Sequence, residues 1–212
     1  MNKGKKLLFG LLFITIVSGS LYYLYMKKAG RSELTIYKSN QNPAEAQVLT
    51  NDSSKNKKMS LKATGIYEVT TVAMADTAVA STDSIIPPQG VVFSGIYISK
   101  DETVEIPAKS TVQFTPVKLE LLGSKKTFTL SKLGNYYIGS QIAPGNYRVF
   151  YVDESQSEPT QIQLILSSKK EEEQTVELNK NCSSANLKLK EGSLLSLKSD
   201  SFAIEVTFER KD

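Results

Sequence analysis

The chain has 212 residues, 40% of them hydrophobic, with 26 Lys+Arg against 22 Asp+Glu, one cysteine, no histidine and no tryptophan. Six of the basic residues and none of the acids fall in residues 1–31, so 20 Lys+Arg face 22 Asp+Glu in residues 32–212, about −2, and the formal +4 gives no argument for nucleic acid as a partner. A lone Cys182 cannot close an intramolecular disulfide, and without histidine it lacks the usual partner of a catalytic thiolate.

Residues 1–6, with Lys3, Lys5 and Lys6, read as a short cytoplasmic tail. Residues 7–26 hold no charged residue, and Lys27, Lys28 and Arg31 follow. Twenty helical residues cover roughly 30 Å, the thickness of a bilayer's hydrocarbon core. The expectation is one transmembrane signal-anchor helix that contacts the lipid bilayer. A cleavable signal is the competing reading, because residues 7–17 are the most apolar and Ser18-Gly19-Ser20 offers small residues to a peptidase. Tyr22, Tyr23 and Tyr25 favour the uncleaved anchor, since aromatic rings at one end of a span prefer the headgroup region. Basic residues balance on the two sides, so a single-pass orientation with the domain outside rests on the short amino terminus. No cysteine lies near residues 7–20, which excludes a lipid-modified cysteine there. An exported chain without a disulfide framework fits a Gram-positive bacterium better than a eukaryotic ectodomain.

Residues 27–60 include Ser39-Asn40-Gln41-Asn42-Pro43 and the run from Asn51 to Lys58. Such polar runs bury too little apolar area to offset chain entropy and predict a spacer, with a short strand at Leu34-Thr35-Ile36-Tyr37.

From residue 61 the apolar period is two, and β-branched and aromatic residues alternate between turn signals. Ile66 to Val69, Ile96-Tyr97-Ile98, Thr103 to Ile106, Thr111 to Phe114, Lys118-Leu119-Glu120-Leu121, Tyr147 to Val152, Gln161 to Leu166, Leu194 to Leu197 and Phe202 to Phe208 are among the strands so predicted. The alanine-rich run 72–81 is the one helical candidate. This pattern predicts an all-β extracytoplasmic domain over 61–212, an antiparallel β-sandwich or barrel. Ile98 to Ile106 and Leu189 to Leu197 share a plan of strand, charged turn and strand, which suggests two related β modules over 61–120 and 126–209.

Tyr137-Ile138-Gly139-Ser140-Gln141-Ile142-Ala143-Pro144-Gly145-Asn146-Tyr147, followed some forty residues later by Leu187 to Leu197, resembles a small β module of exported proteins and lipoproteins of Gram-positive bacteria. Asp83-Ser84-Ile85-Ile86 with Ile98 to Ile106 is similar to a degenerate first copy that lacks the Pro-Gly turn, and Gln141 stands where the module usually has an acid. The resemblance implies an exported location and a β fold, and brings no activity, ligand or catalytic residue. In physical terms Tyr137, Gly139, Ile142, Pro144, Gly145 and Tyr147 form a turn device. Pro144 presets φ, Gly145 is expected at positive φ, Tyr137 and Tyr147 are expected to pack across a hairpin, and Gln141 is expected to be exposed.

No catalytic, cofactor-binding or metal-binding residue emerges. Met59-Ser60 inverts the Ser-Met order of a serine–lysine signal peptidase and has no proline behind it, and the paired acids Asp101-Glu102, Asp153-Glu154 and Glu171-Glu172-Glu173 fall in predicted turns. The reading is a membrane-anchored, surface-exposed, non-enzymatic bacterial protein of the cell membrane, bound to envelope, wall or protein partners. An unrecognised Ser/Lys hydrolase of the envelope is the alternative, as is a carbohydrate-binding module using Tyr97, Tyr136, Tyr137, Tyr147 and Tyr151, though core packing is the simpler role for those rings.

Overall fold

Residues 35–39, 41–74, 85–122, 126–151, 161–168, 172–201 and 204–211 are described by a computed structural model. The expected anchor at 7–26 and most of the run 72–81 lie outside them; its first residues, Val72 to Met74, continue a strand. No helix among the described residues is long and apolar enough to cross a membrane.

Period-two patterning produces an all-β fold. The first module contains β1 (Gln47–Asn51), β2 (Lys57–Ser60), β3 (Gly65–Met74), β4 (Val92–Ile98), β5 (Thr103–Ile106) and β6 (Ser110–Pro116). The second contains β7 (Thr127–Leu130), β8 (Leu133–Tyr137), β9 (Gly145–Tyr151), β10 (Ile162–Ser167), β11 (Gln174–Leu178), β12 (Ser184–Leu189), β13 (Leu194–Ser199) and β14 (Val206–Lys211). One eight-stranded sheet in the order β1-β6-β3-β4-β8-β13-β10-β11 runs through both modules. It is backed in the second module by a four-stranded sheet, β12-β9-β14-β7, and in the first by the pair β2-β5. Pairing is antiparallel except between β4 and β8, and the sheets do not close into a barrel, so the sandwich alternative is the one adopted.

Alternation divides the apolar side chains among three clusters. Tyr67, Val69, Val112 and Phe114 pack in the first module, and Tyr136, Tyr147, Leu164, Leu195 and Phe208 in the second. The third cluster holds Ile36, Tyr37, Ile66, Val117, Leu119 and Tyr137, with Tyr97 and Leu194 against it. Ile66, Tyr97, Tyr137 and Leu194 are chain neighbours of Tyr67, Ile96, Tyr136 and Leu195, so this third cluster covers the opposite face of the large sheet where the modules meet.

Three expectations are corrected here. Residue 34 lies outside the described residues, and 35–37 do not add a strand: 35–39 form a helical turn that buries the adjacent Ile36 and Tyr37, and Ser39 Oγ donates to Ile36 O at 3.0 Å. The polar spacer over 27–60 is structured in its later part. There β1 pairs with β6 and β2 with β5, Leu49 joins the first-module core, and asparagine side chains add bonds to distant backbone. Asn51, 2% exposed, donates Nδ2 to Lys55 O, Ile106 O and Pro107 O, each at 3.0 Å. Asn42 donates to Ile66 O at 2.6 Å and Val117 O at 3.0 Å and accepts from Ile66 N at 3.0 Å. Finally, Lys118-Leu119-Glu120-Leu121 keeps the alternation of a strand but joins no ladder; it links the modules and buries Leu119.

The modules touch backbone to backbone through the parallel pairs Phe93↔Leu133 and Ser94↔Gly134. Gly95 has φ +70 and Gly134 has φ +128, and a Cβ on either would stand 1.9 Å from the carbonyl oxygen of Asn135 or Ser94 respectively. Gly95→Ala is expected to destabilise the chain by more than about 3 kcal/mol in urea unfolding, because strain and a backbone collision combine. Gly90→Ala, at φ +79 with nothing within 4 Å, should cost only about 1 to 2 kcal/mol.

Candidate functional site

The two segments that carry the module resemblance, about forty residues apart in sequence, are zipped together. Ile138 N donates to Ser193 O at 2.9 Å and Gly192 N to Ile138 O at 3.0 Å, and a Cβ on Gly139 would lie 3.0 Å from Glu191 Cγ. β8 and β9 belong to different sheets, as do β12 and β13, so each segment is a corner that carries the chain from one layer to the other. The expected hairpin is therefore absent. Tyr137 and Tyr147 point into different clusters instead of packing on each other: Tyr137 stacks on Tyr37 with centroids 4.5 Å apart, and Tyr147 meets Phe128 and Phe208 edge-on.

Within the corner the glycine roles are exchanged relative to expectation. Gly139 has φ +106 and is the residue whose conformation an L side chain would strain. Gly145 is not among the positive-φ residues; it opens β9 opposite Leu189, and Pro144 leads the chain into that strand. Gln141, expected on the surface, is 4% exposed and closes the corner. Its Oε1 accepts from Tyr137 N at 2.9 Å and its N donates to Tyr137 O at 2.9 Å. Ile142, fully buried, joins the second-module core. A polar residue was legible at that position, but its inward direction needed the corner geometry.

A recurring device fixes these corners. Tyr147 Oη donates to Ala143 O at 2.8 Å, Tyr136 Oη to Lys132 O at 2.6 Å and Tyr67 Oη to Ala63 O at 2.7 Å, each four residues back. The phenol ties a strand's first turn to its own core ring, as in the tyrosine corner of β-sandwiches. Of the rings considered for a glycan-binding face, Tyr136, Tyr137, Tyr147 and Tyr151 are buried and Tyr97 is half-buried, so they form no exposed aromatic platform.

The related-module plan also shifts register. The counterpart of Leu187 to Leu197 is Val104 to Phe114: both cross from the smaller layer to the large sheet, with a positive-φ residue at the turn (Lys109, φ 50; Gly192, φ 82) followed by a buried serine (Ser110; Ser193). Ile98 to Ile106 crosses in the opposite direction, from β4 to β5.

Above the corner, Tyr37, Lys38, Leu121, Tyr137 to Ser140, Glu191 and Gly192 line a cleft of about 580 Å³. Ser140 Oγ is buried beside it without a hydrogen-bond partner among the described residues. No group of three or more Cys, Asp or Glu there could hold a metal. Cys182 is exposed on the loop between β11 and β12. The chain matches no protein-family model and no curated protein sequence.

Burial pushes the phenols of Tyr136, Tyr67 and Tyr147 above their ordinary value near 10; the Glu68 carboxylate adds to this for Tyr136, while Arg210 opposes it for Tyr147. Raised folded-state values mean that their stabilising contribution is whole below about pH 10 and is lost as pH climbs beyond it. Urea midpoints should be flat to about pH 9 and fall above pH 10, less steeply in Tyr136→Phe. In the corner, Gln141→Ala is expected to cost about 1 to 3 kcal/mol in the same assay, because it strands the buried Tyr137 N–H. Gln141→Glu at neutral pH should cost no less.

Proposed function

We propose that this chain is a single-pass, membrane-anchored, surface-displayed protein of a Gram-positive bacterium, whose β domain binds envelope, wall or protein partners without catalysing a reaction. The observation that carries this reading is the uncharged stretch 7–26, bracketed by Lys3, Lys5 and Lys6 and by Lys27 and Lys28, directly upstream of an all-β fold. An apolar span of that length enters lipid as a helix, and in this reading the long polar chain that follows it lies outside. The module resemblance supports the exported location. The corner residues act as scaffold: Tyr137, Ile142, Gln141 and Tyr147 face inward, which leaves partner contacts to the polar faces and edges of the sandwich.

Two measurements test the location. The chain should fractionate with membranes and resist extraction by high salt, and protease added to intact protoplasts should remove the β domain while leaving a small anchored stub. A soluble form beginning near Leu21, or a domain protected from protease until the protoplasts are lysed, would overturn the proposal.

A further inference from the structure

The outer face of the four-stranded sheet carries a concentration of positive charge that the fold does not neutralise. Leu187, Leu189, Tyr147 and Val149 point into the core, so the alternate residues Lys188, Asn146 and Arg148 point outward. Cross-strand register sets Lys188 and Lys211 on either side of Asn146, and Arg148 between Asn186 and Glu209 in the next row. Lys126 is exposed at the rim where the start of β7 meets β14, Arg210 N donating to Lys126 O at 2.8 Å, whereas Arg210, opposite the inward Tyr147, turns its guanidinium away to donate to Pro144 O at 3.3 Å. Lys126, Arg148, Asn186, Glu209, Arg210 and Lys211 help line a groove of about 520 Å³ on this face.

Two features make this more than a solvated surface. Glu209 is the one acid among the described residues lining the groove, whereas residues 32–212 as a whole are slightly acidic, so the cations are segregated here against the average. Among the described residues no ion pair joins Lys126, Arg148, Lys188 or Lys211 to an acid, although Lys132 and Glu68 make one elsewhere at 2.7 Å. Like charges gathered on adjacent strands repel one another, and an anionic partner removes that repulsion.

We propose that this groove binds a linear phosphate-bearing polymer through its phosphodiester groups. Neighbouring strands lie about 4.8 Å apart and alternate residues about 6.8 Å along each, so the cations form an extended array instead of a single-ion pocket. The Arg148 guanidinium fork suits phosphate oxygens. None of the described residues lining the groove is aromatic, and the row beyond Arg148 offers only the half-buried Phe150, which gives bases little to stack on and disfavours nucleic acid. The proposal rests on the envelope reading above and names the chemistry of its partner.

The test is fluorescence anisotropy of labelled poly(glycerol phosphate) with the full chain in detergent micelles. Binding should be saturable and should weaken about tenfold or more between 50 and 200 mM salt, as counterion release requires. Arg148→Ala/Lys188→Ala/Lys211→Ala should lose at least about tenfold. Lys55→Ala/Lys57→Ala/Lys58→Ala, an equal charge change on exposed residues of the first module, should stay within about twofold. Glu209→Gln should bind more tightly, a gain that a misfolded variant cannot produce. Equal losses in both triple variants, no binding, tighter binding to an oligothymidylate, or binding only to vesicles of anionic lipid would each overturn the proposal. Because binding in micelles does not depend on where the protein resides, this outcome and the protoplast result can fail separately.

Discussion

Two glycines set the architecture. At Gly95 and Gly134 the backbones of β4 and β8 approach so closely that neither position can carry a Cβ, and this contact turns two small β modules into one continuous eight-stranded sheet. The parallel ladder there is only two residue pairs long, too short to hold the modules alone. Asn135 reinforces it: its Oδ1 accepts from Ser196 Oγ at 2.6 Å and its Nδ2 donates to Gly95 O at 3.4 Å. The helical turn at 35–39 and the linker at 117–119 then bury apolar residues over the junction, so the third cluster exists only because the sheet is continuous. Loss of the close approach would separate the ladder and also uncover the Tyr37–Tyr137 stack.

Strand identity was legible in the sequence wherever a strand has one buried face, as in β5, β6, β9, β10 and β13, because alternation then writes the burial pattern directly into the residue order. It was illegible where polar side chains add to apolar contacts. Asn42 and Asn51 look like spacer residues in composition, yet each bonds several backbone groups of distant segments. Sequence could locate a turn device at 137–147 but could not decide which glycine bears the positive φ. Pro-Gly is a strong local turn signal, and the sheet-to-sheet crossing overrides it by drawing Gly145 into β9. Gln141 shows the same limit from the polar side: its residue type suggests solvent, and only the folded corner gives its side chain a buried backbone group to bond.

The three tyrosine-to-carbonyl bonds, at Tyr67, Tyr136 and Tyr147, connect this architecture to function. Because the aromatic side chains hold corners and fill cores, the molecule's outward chemistry is left to charged and polar residues on strand faces. The basic outer face of the smaller sheet is the clearest instance. A rigid sheet fixes the spacing of its cations, which flexible loops of equal charge would not do.

Asn42 gives the fold a mechanical property. A force applied at the amino-terminal end reaches the β domain through the helical turn at 35–39 and then through Asn42, before it reaches any strand. The Asn42 side chain grips Ile66 at both its N–H and its C=O and Val117 at its C=O, and its Oδ1 also accepts from Ala44 N at 3.3 Å. The bonds to Ile66 and Val117 tie this one side chain to two distant segments, and the stacked rings of Tyr37 and Tyr137 add a second hold. A pull from that end therefore meets a strain-relief clamp before the free-edged strand β1 can begin to peel from β6, and the load is delivered to the centre of the large sheet rather than to its margin.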